Sequence, residues 1–200
     1  MKPVAQEKIR VVRRLYLVML ALSCAPTGRA GVACERIFMP EGAAPSSFAI
    51  GLPGSVNFCF DAVRGGVSYV WSGGFIDPSP ARNGIGKFVD AVKLLGPIVY
   101  RETGPAPLRQ ADPARVPIIK FLGYTLRDDS IEFRYAVDGT TVREEVRVRT
   151  DGKALTRHFL LGGSPDATWW YVIDGKAPTP LPRHAGGACV LEIPLGKAIP

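Results

Sequence analysis

Histidine is scarce in this chain: two in 200 residues, His158 and His184. Nucleophilic catalysis needs a base beside Ser or Cys, and no G-x-S-x-G elbow accompanies either histidine. A triad hydrolase is therefore unsupported. The chain has no CxxCH run, which excludes covalent haem attachment to it. Its cysteines and histidines show no metal-ligand spacing, so neither a metal nor another cofactor is expected. "GLPG" and "NGIG" lack the flanking strand and helix that would turn their amides into a phosphate cradle; they read as turns. No repeat of fixed period is present. A clustered basic face, the footprint of a nucleic-acid binder, is also missing: "TVREEVRVRT" interleaves Arg with Glu and reads as the solvated face of a strand.

What is present begins with the leader. Lys2, Lys8, Arg10, Arg13 and Arg14 form a basic n-region ahead of "LYLVMLAL", residues 15–22, an apolar core too short for a stable bilayer anchor. The segment reads as an export signal, with small residues that suit cleavage after Ala30 or after Ala33. This gives residues 1–33 as signal peptide and residues 34–200 as one domain, periplasmic or secreted. "RRLYL" also matches the twin-arginine arrangement. Cys24 in "ALSC" is a possible lipid site, and membrane association is expected only if it is lipidated. Six basic residues against Glu7 in residues 1–30 account for most of the formal charge of +7, leaving +2 on the remainder. The basicity therefore belongs to the leader.

About 170 residues suffice for one core without staples. Cys34, Cys59 and Cys189 remain after either cut, in a compartment that permits disulfides, and the sequence does not choose among their three pairings. From residue 48 onward the pattern has period two, broken by Gly and Pro. Val56, Phe58 and Phe60 share a face in "VNFCFD", as do Val67, Tyr69 and Trp71 in "VSYVW". "IIKFLGYTL", "IEFRYAV", "TVREEVRV" and "ALTRHFLL" read as a four-strand meander turned at Asp138-Gly139 and Asp151-Gly152, both expected as type I′ turns. In "IEFRYAV", Ile131, Phe133, Tyr135 and Val137 face one way, Glu132 and Arg134 the other. "TWWYVI" and "ACVLEI" supply later strands around a turn at Asp174-Gly175 and a Pro-rich loop. "IGKFVDAVKLLG", residues 85–96, has helical spacing and predicts a short helix stopped by Gly96-Pro97. The fold class is all-β: an antiparallel β-sandwich with one short helix.

The candidate ligand site is "YVWSGGFIDP" and the loop after it. A sugar presents an apolar face for an aromatic ring and hydroxyls for polar side chains. Trp71, Phe75, Asp77, Arg82 and Asn83 supply those types at a strand end, where sandwiches carry function. The competing reading makes Trp71 and Phe75 core, Gly73-Gly74 a bend and Asp77-Pro78 a turn. Asp61, Asp77, Asp90 and Glu102 are the acids from which a glycosidase pair could be drawn.

"GLPGSVNFCFDA", "YVWSGGFIDP", "KLLGP", "IKFLGY" and "FRYAVDGTTVREEV" together resemble a β-rich accessory domain. That domain occurs in large secreted multidomain proteins of planctomycete and verrucomicrobial type, beside c-type cytochrome or sorbosone-dehydrogenase-like modules. The resemblance covers roughly residues 36–161 and implies a β-sandwich in an exported redox or carbohydrate setting. It carries no catalytic residues over. The expected function is an exported cell-envelope binding or accessory module for a carbohydrate or for a cytochrome or dehydrogenase partner; the alternative is a carboxylate-dependent enzyme acting on sugars.

Overall fold

The computed structural model describes residues 31–84, 89–182 and 184–199. In chain order the strands of the first half are β1 (Ala33–Arg36), β2 (Phe48–Leu52), β3 (Val56–Asp61), β4 (Gly66–Ser72), β5 (Ile76–Asp77), β6 (Lys93–Leu94), β7 (Ile98–Arg101) and β8 (Leu108–Gln110). The short helix α1 (Ser79–Asn83) lies between β5 and β6. The second half holds β9 (Ile119–Leu126), β10 (Ser130–Val137), β11 (Thr140–Val148), β12 (Ala154–Leu161), β13 (Trp169–Tyr171), β14 (Thr179–Pro180) and β15 (Ala188–Pro194). Two five-stranded antiparallel sheets result, ordered β1-β2-β3-β4-β7 and β15-β12-β11-β10-β9. Together they make a β-sandwich, with small sheets β14-β13-β8 and β5-β6 beside it.

The core lies between the two large sheets. Phe58 and Phe60 of β3 meet Phe133 and Tyr135 of β10, and the Phe60 and Phe133 rings stack with centroids 3.7 Å apart. Burying each such ring stabilises by about 2–3 kcal/mol. Ile131, Phe133, Tyr135 and Val137 all point into this core, as the alternation of "IEFRYAV" predicts. The first sheet is covered on its other face too. There Met39, Ala49, Cys59, Tyr69, Trp71, Ile76, Val92 and Ile98 form a second cluster, so β2 and β3 are buried at every position. The second sheet keeps a solvated outer face, where Glu132 takes a bidentate pair from Arg143.

Four expectations change. Val67 does not share a face with Tyr69 and Trp71: a bulge at Ser68 shifts the β3–β4 register, sending Val67 into the inter-sheet core and the two aromatics outward. An inserted residue inverts the alternation beyond it. "TVREEVRVRT" is solvated on one face only, because Glu144 alternates with Val142 and Val146 and is fully buried. Asp138-Gly139 is the expected type I′ turn, with φ of 47° and 83°. Asp151-Gly152 is not: only Gly152 has positive φ, at 71°, and its N–H closes a turn on Arg149 O. The predicted helix over 85–96 is also revised. Residues 85–88 lie outside the described residues, 89–92 form no regular element, and Lys93–Leu94 pairs with β5. Pairing with β5 satisfies backbone groups that the Gly96-Pro97 stop would have left at a helix end.

Among the described residues no disulfide joins Cys34, Cys59 and Cys189. Cys59 belongs to the outer cluster, whereas Cys189 lies in the inter-sheet core and Cys34 packs against it. No helix among the described residues is long and apolar enough to cross a membrane.

Candidate functional site

None of the five residues singled out in "YVWSGGFIDP" and its loop lines either of the two cavities described below. Trp71 is fully buried, and its Nε1–H donates to Gly74 O (3.1 Å) and Phe75 O (2.9 Å), pinning the bend that its own strand enters. Phe75 is half-buried, stacks on Trp71 at 15° and lies over Gly51, where a Cβ would come within 3.1 Å of its ring. Asp77 accepts the Ser79 N–H at 2.9 Å. The Ser79 hydroxyl and backbone N–H hold its carboxyl below the usual range. It thus sets up the first turn of α1. Arg82, in the last turn of α1, pairs with Glu35 of β1, while Asn83 is exposed at the helix end. The stretch builds a corner in which Trp71, Asp77 and Arg82 bond to the chain itself.

A cavity with unspent polar groups lies elsewhere. It measures about 200 Å³ and is lined by Glu41, Asp61, Arg64, Ser68, Arg101 and Glu102, among others. The β3–β4 turn supplies Arg64. Asp61 shapes this turn, since its Oδ1 accepts the N–H groups of Val63 (2.8 Å) and Arg64 (3.2 Å) and its Oδ2 that of Ala44 (3.1 Å). Arg64 Nη1 then donates to Ser68 Oγ and to Glu102 O, each at 3.0 Å. The bulge that inverts β4 thereby fixes the guanidinium. At the rim, Arg101 pairs with Glu41.

Glu102 is 3 % exposed and divided between two environments. Its Oε2 belongs to the core: it accepts from Tyr171 OH at 2.7 Å and Tyr100 OH at 3.1 Å, and Arg157 Nη1 stands 3.5 Å away. Its Oε1 accepts no hydrogen bond from the protein, and Arg64 Nη2 lies 3.6 Å from it, inside ion-pair range but beyond a hydrogen bond. Arg64 Nε and Nη2 likewise donate to no protein group. Buried polar atoms are rarely left so.

Behind Glu102 the network crosses to the second sheet. Arg157 of β12, 1 % exposed, donates through Nε to Glu144 Oε1 at 2.6 Å and through Nη1 to Tyr171 OH. Its guanidinium carbon sits 5.0 Å from the Phe159 ring centroid and 5.1 Å from that of Tyr171. Tyr135 OH completes Glu144 at 2.8 Å. Burial opposes the charge of Arg157, but Glu144, Tyr171 and Glu102 hold its pKa well above the ordinary value. Burial and the carboxylates also push the Tyr135 and Tyr171 phenols far up, so both remain donors.

Asp61 and Glu102 were among the acids legible as candidates; Arg64, Arg101 and Arg157 were not singled out. Arg157 had a signal, since Leu155, Arg157, Phe159 and Leu161 alternate on one face with a charge among apolar residues. A second, shallower hollow of about 710 Å³ is lined by Arg143, Leu160 and His184, among others. None of the buried polar atoms that lack a partner lines it. Among the described residues no cluster of His, Cys, Asp and Glu could hold a metal. Comparison with protein-family models, curated proteins and solved structures finds no match to this chain.

Proposed function

We propose that this chain is an exported binding or accessory module of the cell envelope that takes a small polar ligand in the Arg64–Glu102 cavity. The observation that carries this reading is Glu102 Oε1. It is a fully buried carboxylate oxygen of a residue in the cavity wall, beside two N–H groups of Arg64, none of the three hydrogen-bonded to a protein group. Such groups cost free energy unless a ligand or water meets them, and a preorganised set of unspent donors and acceptors is what a ligand site consists of. The export half rests on the basic and apolar leader. Cleavage after Ala30 leaves β1 whole, whereas cleavage after Ala33 removes its first residue. Redox chemistry in that setting belongs to a cytochrome or dehydrogenase partner. A carboxylate-pair enzyme gains nothing from this cavity, because both oxygens of Asp61 are taken by backbone N–H groups.

The test is a binding screen of small polar solutes against the full chain recovered after export, read by NMR at the Arg64 Nε–H. A solute that moves this signal saturably, and loses affinity in Arg64→Gln, supports the site. Binding that leaves the signal still and survives Arg64→Gln moves the site elsewhere.

A further inference from the structure

Away from the cavity, we infer that a second copy of this chain pairs with the open edge of β9, strand to strand and antiparallel, about a two-fold axis at Tyr124. β9 ends its sheet, with β10 as its one neighbour among the described residues. The backbone N–H and C=O groups on its other side are a template for a further strand. The edge is also apolar. Of the eleven large hydrophobic side chains exposed among the described residues, five lie within residues 116–126: Val116, Ile118, Leu122, Tyr124 and Leu126. Two of these belong to the core by register. Tyr124 stands opposite Phe133 and Leu126 opposite Ile131 in the β9–β10 ladder, and cross-strand partners share a face. Phe133 and Ile131 are fully buried between the sheets, yet Tyr124 and Leu126 remain 41 % and 46 % exposed. The inter-sheet core is therefore uncovered along this side of the sandwich.

Charge selects the partner and its direction. Lys120 lies near the start of β9, and Asp128 and Asp129 follow its end; all three are exposed and form no ion pair among the described residues. Two copies paired in parallel would set lysine beside lysine and aspartate beside aspartate. Paired antiparallel with Tyr124 opposite Tyr124, Leu122 meets Leu126 and Lys120 meets Asp128, each twice by symmetry. Opposite charges across a ladder stabilise it and like charges destabilise it. The contact is isologous, so it closes as a dimer and uses up both edges instead of growing into a fibre. A bulge at Leu122, where Phe121 faces Tyr135 and Gly123 faces Arg134, bends the strand and limits the pairing to residues 122–126. So short an interface makes a weak, reversible dimer.

The experiment is sedimentation velocity on the full chain recovered after export, from about 1 μM to about 1 mM, with amide hydrogen exchange at both ends of that range. A monomer–dimer equilibrium is expected that weakens as salt rises. In the dimer, exchange should slow at those amides of residues 122–126 that β10 does not hold. Leu122→Lys and Lys120→Asp alter exposed side chains, so each should weaken association about tenfold or more. Their urea midpoints, read where the chain is monomeric, should stay unchanged. Adding Asp128→Lys to Lys120→Asp should recover most of the lost association. A chain still monomeric at about 1 mM, or a dimer that leaves the β9 amides unprotected, overturns the inference. So does open-ended growth with concentration, or a charge swap that recovers nothing.

Discussion

Replacing Arg157 by Met tests whether the buried network holds the two sheets together. The substitution keeps the length of the side chain and much of its contact with Phe159 and Tyr171, but removes the charge between Glu144 and Glu102. A pair of unit charges at such distances interacts by about 4 kcal/mol at an effective dielectric constant of about 20. Desolvation of the guanidinium, no longer required, offsets part of the two lost attractions. What remains is a pair of buried carboxylates supported by tyrosine hydroxyls and, for Glu102, by Arg64. Removing one member of a buried ion pair typically costs about 3–5 kcal/mol, a large part of the roughly 5–15 kcal/mol that holds a domain folded. The double variant Arg157→Met/Glu144→Gln removes the stranded charge while leaving an acceptor for Tyr135, so it should recover at least half of that loss. Urea melts at constant m-value read both. A cost under about 1 kcal/mol for Arg157→Met, or no recovery in the double variant, would refute the argument that charge compensation holds this network.

Gly104→Ala should destabilise the cavity wall strongly in urea melts, because φ is +100° there and an added Cβ would run into the Asp174 carboxylate. Gly139→Val forces a β-branched residue into the left-handed half of a type I′ turn and should lower stability by about 1–2 kcal/mol or more; an unchanged midpoint would mean that the hairpin tolerates it. Arg143 is first among the causes that hold the Glu132 carboxyl below its usual range. A depressed folded pKa gives stability that is present above the unfolded value of about 4.3 and lost as pH falls through the folded value. The acid limb of the stability profile should therefore flatten in Arg143→Gln. Burial, above all, pushes the Cys59 thiol up to about 12, so it should resist alkylation at pH 8 in the native protein and react after denaturation; rapid native labelling would contradict its burial.

The sandwich was legible in the sequence because period-two alternation and Asp-Gly turns are local signals. "IEFRYAV" faces the core as its pattern predicts, and Asp138-Gly139 has the backbone that its residues prefer. The bulge at Ser68 was not legible, since it is a property of β3–β4 pairing and not of "VSYVW" alone. The helical spacing of residues 85–96 was overridden where β6 pairs with β5, a tertiary contact that outweighs a weak intrinsic preference. The cavity was half legible. Glu102 and Asp61 were visible as acids, but only the folded chain shows that Asp61 is spent on a turn and that one oxygen of Glu102 is not bonded. Trp71 and Phe75 invited a ligand reading by residue type, yet the first sheet is covered on both faces and encloses Trp71.

The divided carboxylate of Glu102 bears on how such a site evolves. One oxygen is bonded into the fold and the other accepts no hydrogen bond from the protein, so selection for a folded chain alone would keep this floor of the proposed site in place whether or not a ligand mattered. A descendant could lose recognition and still display the same Glu and Tyr side chains. Divergence in the proposed specificity would instead accumulate at Glu41 and Arg101, which pair with each other at the rim. Among related chains, variation at those rim positions, read against a constant floor, would be the record of a changing ligand.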